Sequence, residues 1–132
     1  LEGASLNVKL KYIEGWNQKR QEIAKRYLTE IDNPKIQMQH QPEWSKSVYH
    51  LFVVIPENKI DFENHLKRSG INPAYHYPVP CHLQKAYENL GYKKRDFPNA
   101  EQLAENCISL PMYAELKENE IDKVITVINK YK

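Results

Sequence analysis

Val48-Tyr49-His50-Leu51-Phe52-Val53-Val54-Ile55 is an unbroken run of β-branched, aromatic and aliphatic residues, and Pro56 ends it. Such a run, bounded by a proline, reads as a buried strand. The segment before it is helical in pattern. Over residues 4–31 the apolar residues Leu6, Leu10, Ile13, Ile23, Tyr27 and Ile31 keep steps compatible with a 3.6-residue period, with Lys19, Arg20, Lys25 and Arg26 between them. This predicts one long amphipathic helix, with Gly15 as the place for a bend. Pro34 ends it, and residues 33–47 read as an irregular connection with one short strand at 36–38. Beyond Pro56, Asn58 and Asp61 can cap a helix running to Ser69, with Phe62 and Leu66 on one face. Gly70 then supplies a left-handed residue, and Ile71 packs back on Leu66 in a Schellman motif.

Further along, residues 71–77 alternate around Pro73 and predict a short edge strand. Residues 77–81 must be extended, because each proline pushes its predecessor away from the α region. Residues 82–90 predict a short helix closed by Gly91, and residues 93–96 a charged turn. Pro98 opens a helix to about Asn106, and Ile108-Ser109-Leu110 is a short strand. Ile121, Val124, Ile125 and Ile128 form the clearest helical stripe in the chain. The order of elements predicts an α+β fold, a three- or four-stranded sheet packed by helices, in a single domain over residues 1–132.

Composition agrees and excludes several classes. A chain of 132 residues fits one core. With 41% hydrophobic and 27% charged residues it is neither a membrane protein nor a disordered tail. Nineteen Lys and Arg against seventeen Asp and Glu leave +2, too small an excess to argue for nucleic acid. No apolar run is long enough for a membrane helix and no signal peptide is visible, so the expected location is cytoplasmic. Cys81 and Cys107 make no disulfide framework and are expected to be thiols. Four glycines make no phosphate-cradling loop, and the metal and nucleophile motifs are absent.

Chemistry concentrates at residues 75–87, Tyr-His-Tyr-Pro-Val-Pro-Cys-His-Leu-Gln-Lys-Ala-Tyr, which hold two of five histidines, three of nine tyrosines and a thiol. A proline-stiffened loop loses little entropy on binding, and its imidazoles and phenols suit a polar, ring-shaped ligand. Other readings of these residues stay open. His76 and His82 can be partly buried polar residues satisfied by the backbone. His76, Cys81 and His82 have the atoms for a metal but no fourth ligand. Cys81 could be a nucleophile with His76 or His82 as base, although nothing nearby activates it. Lys93-Lys94-Arg95 could meet a phosphate or be a solvated turn, and Tyr49-His50 and Trp16 read as packing.

In order along the chain, His76-Tyr77-Pro78-Val79-Pro80-Cys81-His82-Leu83-Gln84-Lys85-Ala86-Tyr87, Asp96-Phe97-Pro98-Asn99-Ala100-Glu101 and Leu110-Pro111-Met112-Tyr113 resemble the DegT/DnrJ/EryC1/StrS family of pyridoxal-phosphate sugar aminotransferases. The likeness is to its C-terminal domain. Residues 6–11 with Trp16, Asn17 and Arg20 to Tyr27 resemble its opening helix, and residues 50–53 its first strand. Pro80-Cys81-His82-Leu83-Gln84 is similar to enzymes that aminate keto sugars carried on dTDP, particularly at the 3-position. Leu1-Glu2-Gly3-Ala4-Ser5 departs from the family's Leu-Gln-Ala-Ala.

The resemblance implies a homodimeric fold-type I aminotransferase, with pyridoxal 5'-phosphate and a nucleotide-linked keto sugar held between a large domain and this small one. An amino acid is the implied amino donor. The lysine that forms the Schiff base, and the carboxylate that pairs with the pyridine nitrogen, belong to the large domain. This chain alone is therefore expected to hold no cofactor, no metal and no catalytic residue. By position, His76 and Tyr77, with His82 and Gln84 behind them, line the sugar side. The alternative is a stand-alone, non-catalytic module that dimerises through the exposed face of its first helix. The start at Leu1 rather than Met suggests a piece cut from a longer protein.

Overall fold

The computed structural model describes residues 2–132; Leu1, the first residue of the departing Leu1–Ser5 segment, lies outside the described residues. The helices are α1 (Glu2–Leu10), α2 (Ile13–Glu30), α3 (Lys59–Arg68), α4 (Pro98–Asn106) and α5 (Glu118–Asn129), and the strands are β1 (Ile36–Met38), β2 (Phe52–Pro56) and β3 (Ile108–Leu110). The strands form one antiparallel sheet in the order β1-β2-β3. This is the α+β architecture expected, with three strands.

Register explains the two faces of the sheet. Phe52 pairs with Leu110 and Val54 with Ile108, so these four side chains share a face, on which α2, α3 and α5 lie. Ile23 and Tyr27 of α2, Phe62 and Leu66 of α3, and Ile121, Val124, Ile125 and Ile128 of α5 complete this core. Tyr27 meets Phe52 edge to face at 5.1 Å, and Tyr49 stacks on Phe52 at 6.0 Å. Such ring pairs add about 0.5–1.5 kcal/mol beyond the burial of their surface. Val53 pairs with Ser109, and both belong to the opposite face. Ala104 and Cys107 are buried without joining the main core. The second face is where the site lies.

The C-termini of α2 and α5 are tied to each other. Asn33 Nδ2 donates to the carbonyls of Ile128 and Tyr131, Asn129 Nδ2 donates to Glu30 O, and Asn129 Oδ1 accepts from Asp32 N–H. The bond to Glu30 O occupies a carbonyl at the end of α2 that has no intrahelical partner. Arg26 adds ion pairs to Glu118 and Asp122 across the same contact. At the other side, Asn58 accepts from Asp61 N–H and caps α3. Gly70 adopts φ 70, with Gly70 N–H donating to Lys67 O and Ile71 N–H to Leu66 O, the Schellman motif read from the sequence.

Four expectations are corrected. The long helix is two helices, and the break is at residues 11–12 rather than Gly15, which lies inside α2. No residue of α1 is buried, so no packed face holds the helix continuous across the junction. The strand expected from Val48 starts only at Phe52. Val48 and Ser47 carbonyls accept from Arg20 and Gln21, and Tyr49 has φ 47, so this stretch docks onto α2 instead of joining the ladder. The edge strand at 71–77 reduces to a single bridge, Ala74 with Ser109. Pro73 has no N–H to give, and β3 is only three residues long. The helix expected at 82–90 is two 3₁₀ turns, Cys81–Leu83 and Lys85–Leu90, parted by an extended Gln84. Beyond His82 the stretch is exposed, so no core contact draws out an α-helix. Gly91 closes it at φ 75, as its position suggested.

Candidate functional site

The loop at 76–84 and one face of α4 line an open cavity of about 480 Å³. All four residues singled out from the sequence, His76, Tyr77, His82 and Gln84, line it, together with Cys81 and Phe97. The rest of its wall is apolar: Val79, Pro80, Ala100, Leu103 and Ala104, with Cys107 at the base. An apolar wall with a few convergent polar groups is the usual composition of a small-molecule site.

The four residues are held differently. His76 follows the Ala74 bridge, which fastens the loop to β3 through Ala74 N–H to Ser109 O at 3.2 Å and Ser109 N–H to Ala74 O at 2.8 Å. Its Nδ1 lies 2.9 Å from Ser109 Oγ, and Cys107 Sγ approaches its carbonyl at 3.9 Å. The peptide bond to Tyr77 is cis, and the two rings meet edge to face at 5.3 Å. Tyr77 is 67% exposed, which leaves its phenol available to a ligand. Gln84 is exposed and donates to Val79 O at 3.4 Å, bracing the proline turn. His82 is inward, its side chain 8% exposed, with Nε2 3.0 Å from Glu101 Oε1 and its ring 4.9 Å from Phe97. It supports the loop from behind.

Glu101 is the hub of that support. The same Oε1 accepts from Arg95 N–H at 2.7 Å and Phe97 N–H at 3.4 Å. Burial pushes the Glu101 carboxyl up, but the Arg95 amide, the His82 imidazole and the Phe97 amide outweigh it and hold the group below its ordinary value. The charged turn at 93–96 is therefore clamped to the start of α4, with Arg95 at φ 82 and Lys93 N–H on Asp96 Oδ2.

The competing chemistries find less support in this geometry. The hydrogen bonds of His76 and His82 go to Ser109 and Glu101, so neither imidazole engages Cys81 as a base would. Among the described residues no group of three His, Cys, Asp or Glu is placed to hold a metal. No described helix is long and apolar enough to cross a membrane. No role for Glu101 or Ser109 was read from the sequence. Glu101 closes a quoted motif, and Ser109 is a lone hydroxyl between Ile108 and Leu110, so each left a faint signal.

Comparison with known proteins places the chain. The model of the DegT/DnrJ/EryC1/StrS aminotransferase family matches residues 1–129. The chain is 39% identical over 129 residues to the erythromycin biosynthesis sensory transduction protein EryC1 of Saccharopolyspora erythraea, covering 97% of this chain and 35% of that protein. It is 36% identical over 131 residues to a dTDP-3-amino-3,6-dideoxy-alpha-D-galactopyranose transaminase of Aneurinibacillus thermoaerophilus, covering 99% of this chain and 36% of that protein. The crystal structure of S. venezuelae DesV in complex with a ketimine intermediate superposes with a TM-score of 0.90 at 31% identity, over 97% of this chain and 35% of that one. The chain thus spans about a third of the length of these relatives. A family match running through the cavity loop, and a fold superposing over nearly every residue, show that the chain belongs to the DegT/DnrJ/EryC1/StrS aminotransferase family.

Proposed function

We propose that this chain forms the sugar-nucleotide side of the active site of a pyridoxal-phosphate-dependent aminotransferase, acting on a keto sugar carried on a nucleotide. The observation that carries this reading is the cavity itself: His76, Tyr77, His82 and Gln84 meet at one opening inside the region matched by the family. The transaminase name of the Aneurinibacillus relative favours a dTDP-linked sugar aminated at carbon 3. The apolar wall offers contact to the carbon faces of a sugar, while His76 and Tyr77 offer polar atoms to sugar oxygens and fix their orientation.

The cofactor fits this chain only in part. The cavity lining has no lysine, arginine or carboxylate among the described residues. It offers no amine for the cofactor's aldehyde and no cation for its phosphate. In this proposal the Schiff-base lysine, the carboxylate on the pyridine nitrogen and the amino-donor site come from polypeptide outside these residues, within a cytoplasmic homodimer. The chain alone does not transaminate.

The test begins with the intact mass of the native polypeptide that carries these residues, then its turnover. A species much heavier than 15.6 kDa is expected. In that protein His76→Ala should lower amination of the keto sugar roughly tenfold or more, with the cofactor's absorbance unchanged. Undiminished turnover would remove the role given to His76. One observation favours a second reading, an interaction module: α1 has no buried residue, and Leu6, Val8 and Leu10 are each at least 60% exposed. A native species of 15.6 kDa that sediments as a dimer would select that reading.

A further inference from the structure

We infer that Ser109 is a positioning residue that fixes the tautomer of His76, so that the imidazole presents an Nε2–H donor to an acceptor atom of the ligand. The ligand part of this statement rests on the function proposed above; the state of the ring does not.

Ser109 is 3% exposed and is the one buried polar residue among those described. Its backbone N–H and carbonyl both engage Ala74, and its hydroxyl has a single described partner, His76 Nδ1, at 2.9 Å. A hydroxyl has one hydrogen to give, and neutral imidazole has one donor and one acceptor nitrogen. If Nδ1 carried the proton it would donate to Oγ, and the serine hydrogen would be left in the interior without an acceptor. A buried donor without a partner bears its whole desolvation cost. If Nδ1 is bare, the hydroxyl donates to it, and both the serine hydrogen and Nδ1 have a partner. The second arrangement puts the proton on Nε2, the ring nitrogen for which the described residues supply no hydrogen-bond partner.

The ring is also held in place. Tyr77 packs edge-on against it, and the Ala74 bridge fixes the backbone two residues before it to the same serine. Because β3 sits in the sheet beside β2, the orientation of His76 is referred to the core rather than to the exposed loop. His76 then meets its ligand as a hydrogen-bond donor and not as a proton acceptor.

The experiment is a long-range ¹H–¹⁵N correlation of the imidazoles in the whole chain, labelled at histidine, at pH about 8.5, well above the ordinary histidine value of about 6.5. The His76 signals are assigned by their loss in His76→Gln. The expected wild-type result is a single tautomer with a protonated Nε2 and an Nδ1 shifted by accepting a hydrogen bond. Ser109→Ala should abolish that shift and mix the tautomers, and Ser109→Thr, which keeps the hydroxyl, should restore the wild-type pattern. An Nδ1–H tautomer in the wild type overturns the inference without any variant, so a Ser109→Ala protein that fails to fold does not weaken the test. Unchanged nitrogen shifts in a folded Ser109→Ala overturn it as well. The expected spectrum together with undiminished turnover in His76→Ala would remove the substrate role of His76 and leave the tautomer standing.

Discussion

Tyr27 joins the helical layer to the strand that carries the site, and Tyr27→Phe isolates that link. The ring is fully buried, so phenylalanine keeps its edge-on contact with Phe52 at 5.1 Å. What is lost is the hydroxyl, which donates to Pro111 O at 3.0 Å. A net hydrogen bond and a carbonyl left without its donor together amount to about 1–2 kcal/mol at pH 7. For a domain of this size that is a fall in Tm of roughly 4–8 °C. The pH dependence sharpens the test. Burial, reinforced by Tyr113, raises the Tyr27 phenol well above its ordinary value, against a smaller opposing effect of Arg26. A group raised in the folded state contributes stability that is complete below its unfolded value of about 10 and is lost as pH rises beyond it. Between pH 9 and pH 11 the unfolded phenol ionises while the folded one does not, which removes about 1.4 kcal/mol from the wild type and nothing from Tyr27→Phe. Urea melts of both proteins at pH 7, 9 and 11 read the difference directly, because other titrating groups cancel in the comparison. The variant's deficit should be full at pH 7 and 9 and should nearly close by pH 11. An equal gap at pH 9 and 11 would refute the argument from burial, and a variant as stable as wild type at pH 7 would refute the bond.

Two further outcomes follow from local geometry. Gly70→Ala should lower stability by about 1 kcal/mol in urea melts, because φ 70 is strained for a side chain, while the nearest atom to the new Cβ is the flexible Lys123 Nζ at 3.3 Å; a neutral effect would show that the α3 terminus relaxes. Glu101→Ala should speed amide hydrogen exchange at Arg95 and Phe97 several-fold, since the turn it holds is otherwise exposed; unchanged exchange would show that the carboxylate does not hold the turn.

What the sequence revealed, and what it hid, divides along a physical line. The Schellman end of α3, the Pro98 start of α4 and the stripe of α5 were all readable, because each is decided by residues within a few positions of each other. The junction at 11–12 and the late start of β2 were not readable. Both depend on what lies opposite in space: α1 has nothing packed against it, and Arg20 and Gln21 claim the carbonyls at 47–48 from 26 and 28 residues away. The site shows the same division. A proline-stiffened loop rich in His and Tyr announces itself, and the family motifs carried it further. The partners that hold it, Ser109 and Glu101, lie 33 and 19 residues from His76 and His82, and only faint local signals mark them.

That distance also explains how rigid and yielding parts divide the work at this site. His76 is referred to β3 through Ser109, so its position follows the core. The stretch after His82 rests instead on a single carboxylate and a small aromatic cluster, Tyr92 on Phe97 at 5.1 Å and Phe97 on His82. Leu83, Tyr87, Leu90 and Tyr92 remain exposed along it, as do Tyr77 and Val79 before it. Exposed apolar side chains in such density are unfavourable in water unless another surface covers them. Under the proposed function that surface is the polypeptide bringing the lysine, which would cover the outer wall of the cavity, while the inner wall is built on the sheet. His76 is then oriented by the sheet whether or not that surface is in place.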